Sequence, residues 1–121
     1  MPIKNILVVD DSATDRQYLS DLLAKNGYKV ETAQNADEAL AKARQLRPDL
    51  VLMDIVMPGQ NGFQATRALS KDEATKTIPV IICTTKGQDT DKAWGMKQGA
   101  RDYIVKPISA PELLRKISAL G

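Results

Sequence analysis

A chain of 121 residues is one domain, long enough to bury a single core without disulfides or a structural metal. Its balance of 43% hydrophobic and 26% charged residues excludes disordered and membrane-spanning classes, and no apolar run nears the roughly 20 residues of a membrane span. A net charge of +2 does not by itself imply nucleic acid, and Met1-Pro2-Ile3-Lys4 lacks the apolar stretch of a secretory signal, so a cytoplasmic protein is expected.

The first apolar run, Ile6-Leu7-Val8-Val9, reads as a strand that ends in Asp10-Asp11. Ser12 or a neighbouring Asp can then cap a helix with Leu19, Leu22 and Leu23 on its apolar side, stopped by Asn26-Gly27. Tyr28 to Ala33 is a short alternating strand. Asn35 caps a second helix with Ala36, Ala39, Leu40, Ala43 and Leu46 on one face, and Pro48 ends it. Leu50-Val51-Leu52-Met53 is a strand that runs out at Asp54 into the turn Ile55-Val56-Met57-Pro58-Gly59. Asn61-Gly62 starts a third helix through Phe63, Ala65, Thr66 and Leu69, and Pro79 opens the apolar strand Val80 to Cys83, where the lone Cys83 is expected to be a buried, inert thiol. A fourth helix spans about Gln88 to Gln98 with Gly99 as its cap, and the last strand is Asp102 to Val105. Pro111 suits the first turn of a fifth helix presenting Leu113, Leu114, Ile117 and Leu120.

Five strand-then-helix units in so short a chain require parallel strands joined by right-handed helical crossovers, an α/β fold with helices on both faces of the sheet. Ligands of such sheets bind beyond the carboxyl ends of the strands, and that edge is where the acids lie. Asp10, Asp11 and Asp54 would repel one another in a partly buried cleft unless a cation lay between them, and an all-oxygen ligand set favours Mg²⁺. Either member of the Asp pair alone reads as a helix cap. Lys106, ahead of Pro107, is a compact positive charge suited to an anion at the same edge, though alone it would be a surface lysine. Thr84, the first residue past the Val80–Cys83 run, offers a hydroxyl at the corresponding height, where Thr is more often just a good strand former. Together these groups describe a place for a carboxylate, Mg²⁺ and a phosphoryl group.

Val9-Asp10-Asp11-Ser12, Met53-Asp54-Ile55-Val56-Met57-Pro58-Gly59, Thr84 and Lys106-Pro107 stand in the order of a known motif set, and across essentially all 121 residues the chain resembles the stand-alone, CheY-like receiver domains of two-component response regulators. The run from Leu52 to Arg67, with Trp94 and Gly99-Ala100-Arg101-Asp102-Tyr103, is similar to the PilH branch of that family, which serves type IV pilus twitching motility. The resemblance implies a five-stranded parallel sheet in the flavodoxin-like order 2-1-3-4-5, and a single receiver over residues 1–121 with no output domain. It also implies Asp54 as phosphoacceptor, and Mg²⁺ held by Asp10, Asp11, Asp54 and the backbone carbonyl of Val56. Thr84 becomes the switch hydroxyl, Lys106 the phosphate-contacting lysine, and Tyr103 the aromatic that changes rotamer with Thr84. Family members commonly have a cis bond at the position of Lys106-Pro107. Two positions set this chain apart: Val56 has no polar side chain to guide an attacking water, and Thr85 is larger than the Ala or Gly often found after the switch residue. Both bear on how long a phosphoryl lasts.

With no histidine in the chain, the phosphohistidine that charges a receiver must come from a partner histidine kinase. A phosphoryl on Asp54 would then bias a surface around the fourth helix, last strand and fifth helix, for a downstream motility protein or simply to drain phosphate from a shared kinase. From Lys86 onward there are seven basic residues against four acidic ones, a bias that also fits an ordinary solvated surface. The expected protein is a monomeric signalling protein without direct nucleic-acid or membrane contact, whose catalysis is confined to its own phosphotransfer and autodephosphorylation. An Mg²⁺-dependent aspartyl-phosphate phosphatase is the competing enzymatic reading, but such enzymes have Asp-x-Asp at the end of their first strand and usually a cap domain for substrate, whereas Asp54 is followed by Ile55-Val56 and no cap fits the length. A transcription factor would need a helix-turn-helix beyond the fifth helix.

Overall fold

Strands and helices alternate without a break in the computed structural model, which describes residues 2–120; Met1 and Gly121, the two ends of the expected 1–121 domain, lie outside the described residues. In chain order the elements are β1 (Asn5–Val9), α1 (Ala13–Lys25), β2 (Lys29–Ala33), α2 (Ala36–Leu46), β3 (Leu50–Met53), α3 (Gly62–Lys71), β4 (Val80–Thr84), α4 (Asp89–Lys97), β5 (Asp102–Val105) and α5 (Ala110–Leu120). All four strand pairings are parallel and the sheet order is β2-β1-β3-β4-β5, as the resemblance implied.

The apolar runs become strands because successive side chains leave opposite faces of the sheet and both faces are covered. Leu7, Val9, Val51, Met53 and Ile82 pack with Ala36, Ala39 and Ala43 of α2 and Ala65 and Leu69 of α3. Ile6, Val8, Leu50, Leu52, Ile81 and Cys83 point the other way, onto Leu19 and Leu23 of α1 and Leu113 and Ile117 of α5. The edge strand β2 alternates exposed and half-buried residues until Ala33. Burial also pushes the Cys83 thiol up to about 12, which fits an inert side chain.

The expected caps form. Ser12 accepts from the Asp15 N–H, Asn35 from Glu38, and Asn61 and Gln64 make a reciprocal capping box. Two expectations are corrected. Leu46 does not join the buried face of α2 but is 47% exposed, because the helix ends there and turns through Arg47 in the left-handed region (φ 45°). Thr84 is not the first residue past the strand but the last residue of β4, paired with Val105 and wholly buried. Leu52→Ala should therefore cost about 2–5 kcal/mol in denaturant unfolding, and Leu46→Ala less than about 0.5 kcal/mol. Equal losses would place Leu46 in the core after all.

Candidate functional site at the carboxyl edge of the sheet

The ladder of the sheet continues one residue past its strands and fixes the groups that follow them. The Asp10 N–H donates to the Ala33 carbonyl at 3.1 Å, the Asp54 N–H to Val9 at 2.9 Å and the Lys106 N–H to Thr84 at 2.8 Å. Parallel register thus carries three side chains from distant parts of the chain to one place. Gly62 closes its floor: its N–H donates to the Ile55 carbonyl at 2.9 Å, and a Cβ there would collide with the Asp54 carbonyl oxygen.

One carboxylate oxygen each from Asp10, Asp11 and Asp54 lies within 4.8 Å of the others; Asp10 and Asp54 are buried and Asp11 is exposed. Asp10 Oδ1 accepts the Ser12 N–H at 2.9 Å, and Asp10 Oδ2 accepts from Lys106 Nζ at 2.7 Å. Asp54 Oδ1 accepts the Ile55 N–H at 2.8 Å, while Asp54 Oδ2 stands 4.0 Å from Lys106 Nζ. The lysine is held on its other side by Asp15, at 2.8 Å, a residue that no sequence motif singled out. Arg16 adds a donor, from Nη1 to the Asp10 carbonyl at 2.7 Å.

Burial, and then the charge of Asp10, push the Asp54 carboxyl above its ordinary range, with Lys106, the Thr84 hydroxyl and the Ile55 N–H pulling the other way. Burial works against the charge on Lys106, yet its hydrogen bonds to Asp10 and Asp15 outweigh that and hold the ammonium well above the usual lysine range. Among the described residues, Lys106 is the cation paired with these carboxylates, and the Arg16 guanidinium is held on the Asp10 backbone carbonyl behind them.

Thr84 and Tyr103 meet through the loop after β4. The Thr84 hydroxyl lies 3.5 Å from the Lys86 N–H, and the buried Tyr103 donates its hydroxyl proton to the Lys86 carbonyl at 2.5 Å. Gly95 of α4 leaves room for that ring: a Cβ at this position would lie 2.8 Å from Ile82 Cδ1 and 3.3 Å from two carbons of Tyr103. The Lys106-Pro107 bond is cis. Two cavities flank the acids. One, of about 290 Å³, is lined by Ile55, Val56, Met57, Asn61, Phe63 and Lys86, with the Val56 side chain 53% exposed. The other, of about 470 Å³, is lined by Asp15, Tyr18, Thr85, Lys106 and Ile108 among others.

A family model described as response regulator receiver domain matches residues 6–118. The chain belongs to that family. It is 57% identical to protein PilH of Pseudomonas aeruginosa over 115 residues, which is 95% of each chain. It is 40% identical to the phosphate regulon transcriptional regulatory protein PhoB of the same organism over 117 residues, 97% of this chain but 51% of PhoB, so it spans about half the length of that relative. Among solved structures, the chemotaxis response regulator CheY4 of Vibrio cholerae superposes with a TM-score of 0.92 at 35% identity, over 98% of this chain and 99% of that one. Among the described residues of this receiver, no helix is long and apolar enough to cross a membrane.

The receiver's acid cluster has a consequence for stability. A carboxyl whose pKa is raised by folding binds its proton more tightly in the folded state, so stability falls as pH rises from the ordinary carboxylate range through the raised folded value. Asp54→Asn removes that penalty. In chelator at about pH 7 the variant should melt a few degrees above wild type, the scale on which about 1 kcal/mol moves a domain of this size, and the gap should shrink as pH falls and close by about pH 3, about a unit below the ordinary aspartate value, where Asp54 is neutral in both states. A gap that persists in acid would mean that the charge of Asp54 is not its source.

Proposed function

We propose that this receiver takes a phosphoryl group onto Asp54 from the phosphohistidine of a partner histidine kinase, and that the modified site biases a protein-binding surface on α4, β5 and α5. The observation that carries the reading is the meeting of a buried carboxylate with a free oxygen, two further acids and one fixed ammonium at the strand edge. Asp54 Oδ1 is engaged by the Ile55 N–H, which leaves Oδ2 to attack phosphorus. The new P–O bond forms as the P–N bond of the phosphohistidine breaks, and its electron pair returns to the imidazole nitrogen.

The donor set supports Mg²⁺ as cofactor: the three carboxylates are all hard oxygen ligands, and burial together with the charge of Asp10 raises the pKa of Asp54. Asp10, Asp11, Asp54 and the Val56 carbonyl would hold it, and once bound it would offset the charge that the acids and the phosphoryl bring together. Lys106 pairs with the phosphoryl oxygens, and the Thr84 hydroxyl moves to donate to one of them. Thr84 and Tyr103 both lean on Lys86, so such a movement is passed to the ring beneath α4. The identity to PilH, with the sequence features of that branch, supports control of type IV pilus twitching motility or a related chemotaxis-like pathway. On this reading the chain is a single receiver that catalyses nothing beyond its own phosphotransfer and dephosphorylation.

Acetyl phosphate with Mg²⁺ should label wild type once, at Asp54, as read by intact-mass and peptide mass spectrometry, and should leave Asp54→Asn unlabelled. Equal labelling of the two proteins would sink the assignment. Dephosphorylation needs a water in line with the phosphoryl, and the exposed side chains beside that path, Val56 and Lys86, do little to guide one. Val56→Asn should speed phosphate release after donor removal, by up to about 10²-fold, the range over which nucleophile placement acts. Release no faster than wild type would show that this side chain does not set the lifetime.

A further inference from the structure

Receiver chemistry as proposed above asks for a lysine that reaches the phosphoryl, yet here the lysine is anchored elsewhere. Lys106 Nζ lies 2.7 Å from Asp10 and 2.8 Å from Asp15, but 4.0 Å from Asp54. Asp15 comes from the first turn of α1, where its N–H is fixed by the Ser12 cap at 3.2 Å. Its side chain is 43% exposed, whereas that of Asp10 is 3% exposed. We propose that Asp15 is a positioning residue that stores the Lys106 ammonium away from Asp54 in the unphosphorylated protein and releases it when a phosphoryl arrives.

The two anchors differ in what release costs. Asp10 is buried, so taking its cation away would leave an uncompensated charge in a poorly solvated place. Asp15 faces water and sits at a helix N-terminus, where a carboxylate is favoured with or without a partner. A half-exposed ion pair of this kind changes an equilibrium by only about two- to fivefold. An aspartyl phosphate carries nearly two negative charges and several acceptor oxygens at the place of Asp54, and outcompetes a single solvated carboxylate for the same N–H donors. Lys106 can therefore keep Asp10 and exchange Asp15 for the phosphoryl by a small rotation of its flexible stem. Asp15 also lines the larger cavity beside the site, with Tyr18 and Thr85, so the exchange takes place at an open wall.

This inference rests on Asp54 being the acceptor, and its test separates the two. In the unphosphorylated protein, trace acylation with an amine-reactive anhydride, read per lysine by mass spectrometry against the exposed Lys29, should modify Lys106 about two- to fivefold faster in Asp15→Asn than in wild type. Acetyl phosphate should also label Asp54 about two- to fivefold faster in Asp15→Asn, and this gain should vanish in a Lys106→Ala background, because the two residues act as one unit. Unchanged Lys106 reactivity overturns the proposal, as does an equal gain in labelling with and without Lys106, which would mark a general loosening of α1. If Lys106→Ala takes up no phosphate, the acylation result decides alone. Labelling of Asp54→Asn would instead overturn the acceptor assignment, and the acylation result would still stand on the unphosphorylated protein.

Discussion

One ammonium among four carboxylates is the constraint around which this molecule is arranged. Asp10, Asp11, Asp15 and Asp54 gather at one edge of the sheet, and Lys106 is the cation that makes the gathering tolerable. Asp10 is buried, and its ion pair with Lys106 supplies the counter-charge that a carboxylate away from water needs. Burial, and then the charge of Asp10, still keep the Asp54 pKa raised despite Lys106. Strain of this kind, concentrated at a strand edge and supported by two apolar layers beneath it, is the usual mark of a site shaped by chemistry at the expense of stability.

The sheet makes the arrangement rigid. Each of Asp10, Asp54 and Lys106 is the first residue beyond its strand, and each still spends its backbone N–H on the neighbouring strand. Side chains that follow such a bond inherit the register of the ladder, so the alternating Ile6, Leu7, Val8 and Val9 set the position of Asp10 as surely as they set the core. Packing on both faces and placement of the acids are therefore one property of the same strands.

Much of this was legible because it follows from local rules. Apolar runs ending in Asp10-Asp11, Asp54 and Lys106-Pro107 announce strands and their carboxyl ends, and turn or cap residues such as Ser12, Asn35 and Asn61 mark the helices between. What escaped depends on contacts across the fold. Asp15 meets Lys106 over a separation of 91 residues, and an acid in the first turn of a helix is already explained by the helix dipole, so nothing in the sequence flags its second role. Gly62 reads as a helix start, whereas its lack of a side chain is demanded by the Asp54 carbonyl packed against it. Leu46 fits the apolar face of α2 by periodicity but stands at its last position, where the left-handed Arg47 turns the chain away. Thr84 looked like a residue past its strand because its hydroxyl breaks the apolar run, yet pairing with Val105 keeps it inside.

Among the described residues, the helix with the fewest buried positions is α4, the one that lies over the Tyr103 ring. α4 is nine residues long, has no side-chain cap, and among the described residues its one buried member is Gly95, which contributes no apolar side chain to the core. Trp94 and Met96 on either side of it are exposed, and Lys97 lies over the Trp94 ring at 5.9 Å from its centroid. α4 thus meets the sheet through backbone at Gly95 laid on Ile82 and the Tyr103 ring. A helix fixed by so little apolar area sits at the low end of local stability, where modest forces change its position. The Tyr103 ring on which α4 rests is itself tied by its hydroxyl to the carbonyl of Lys86, two residues past Thr84. Absence of a side chain at Gly95 therefore does two things at once: it leaves room for the buried ring of Tyr103, and it withholds an apolar side chain from the hold of α4 on the sheet.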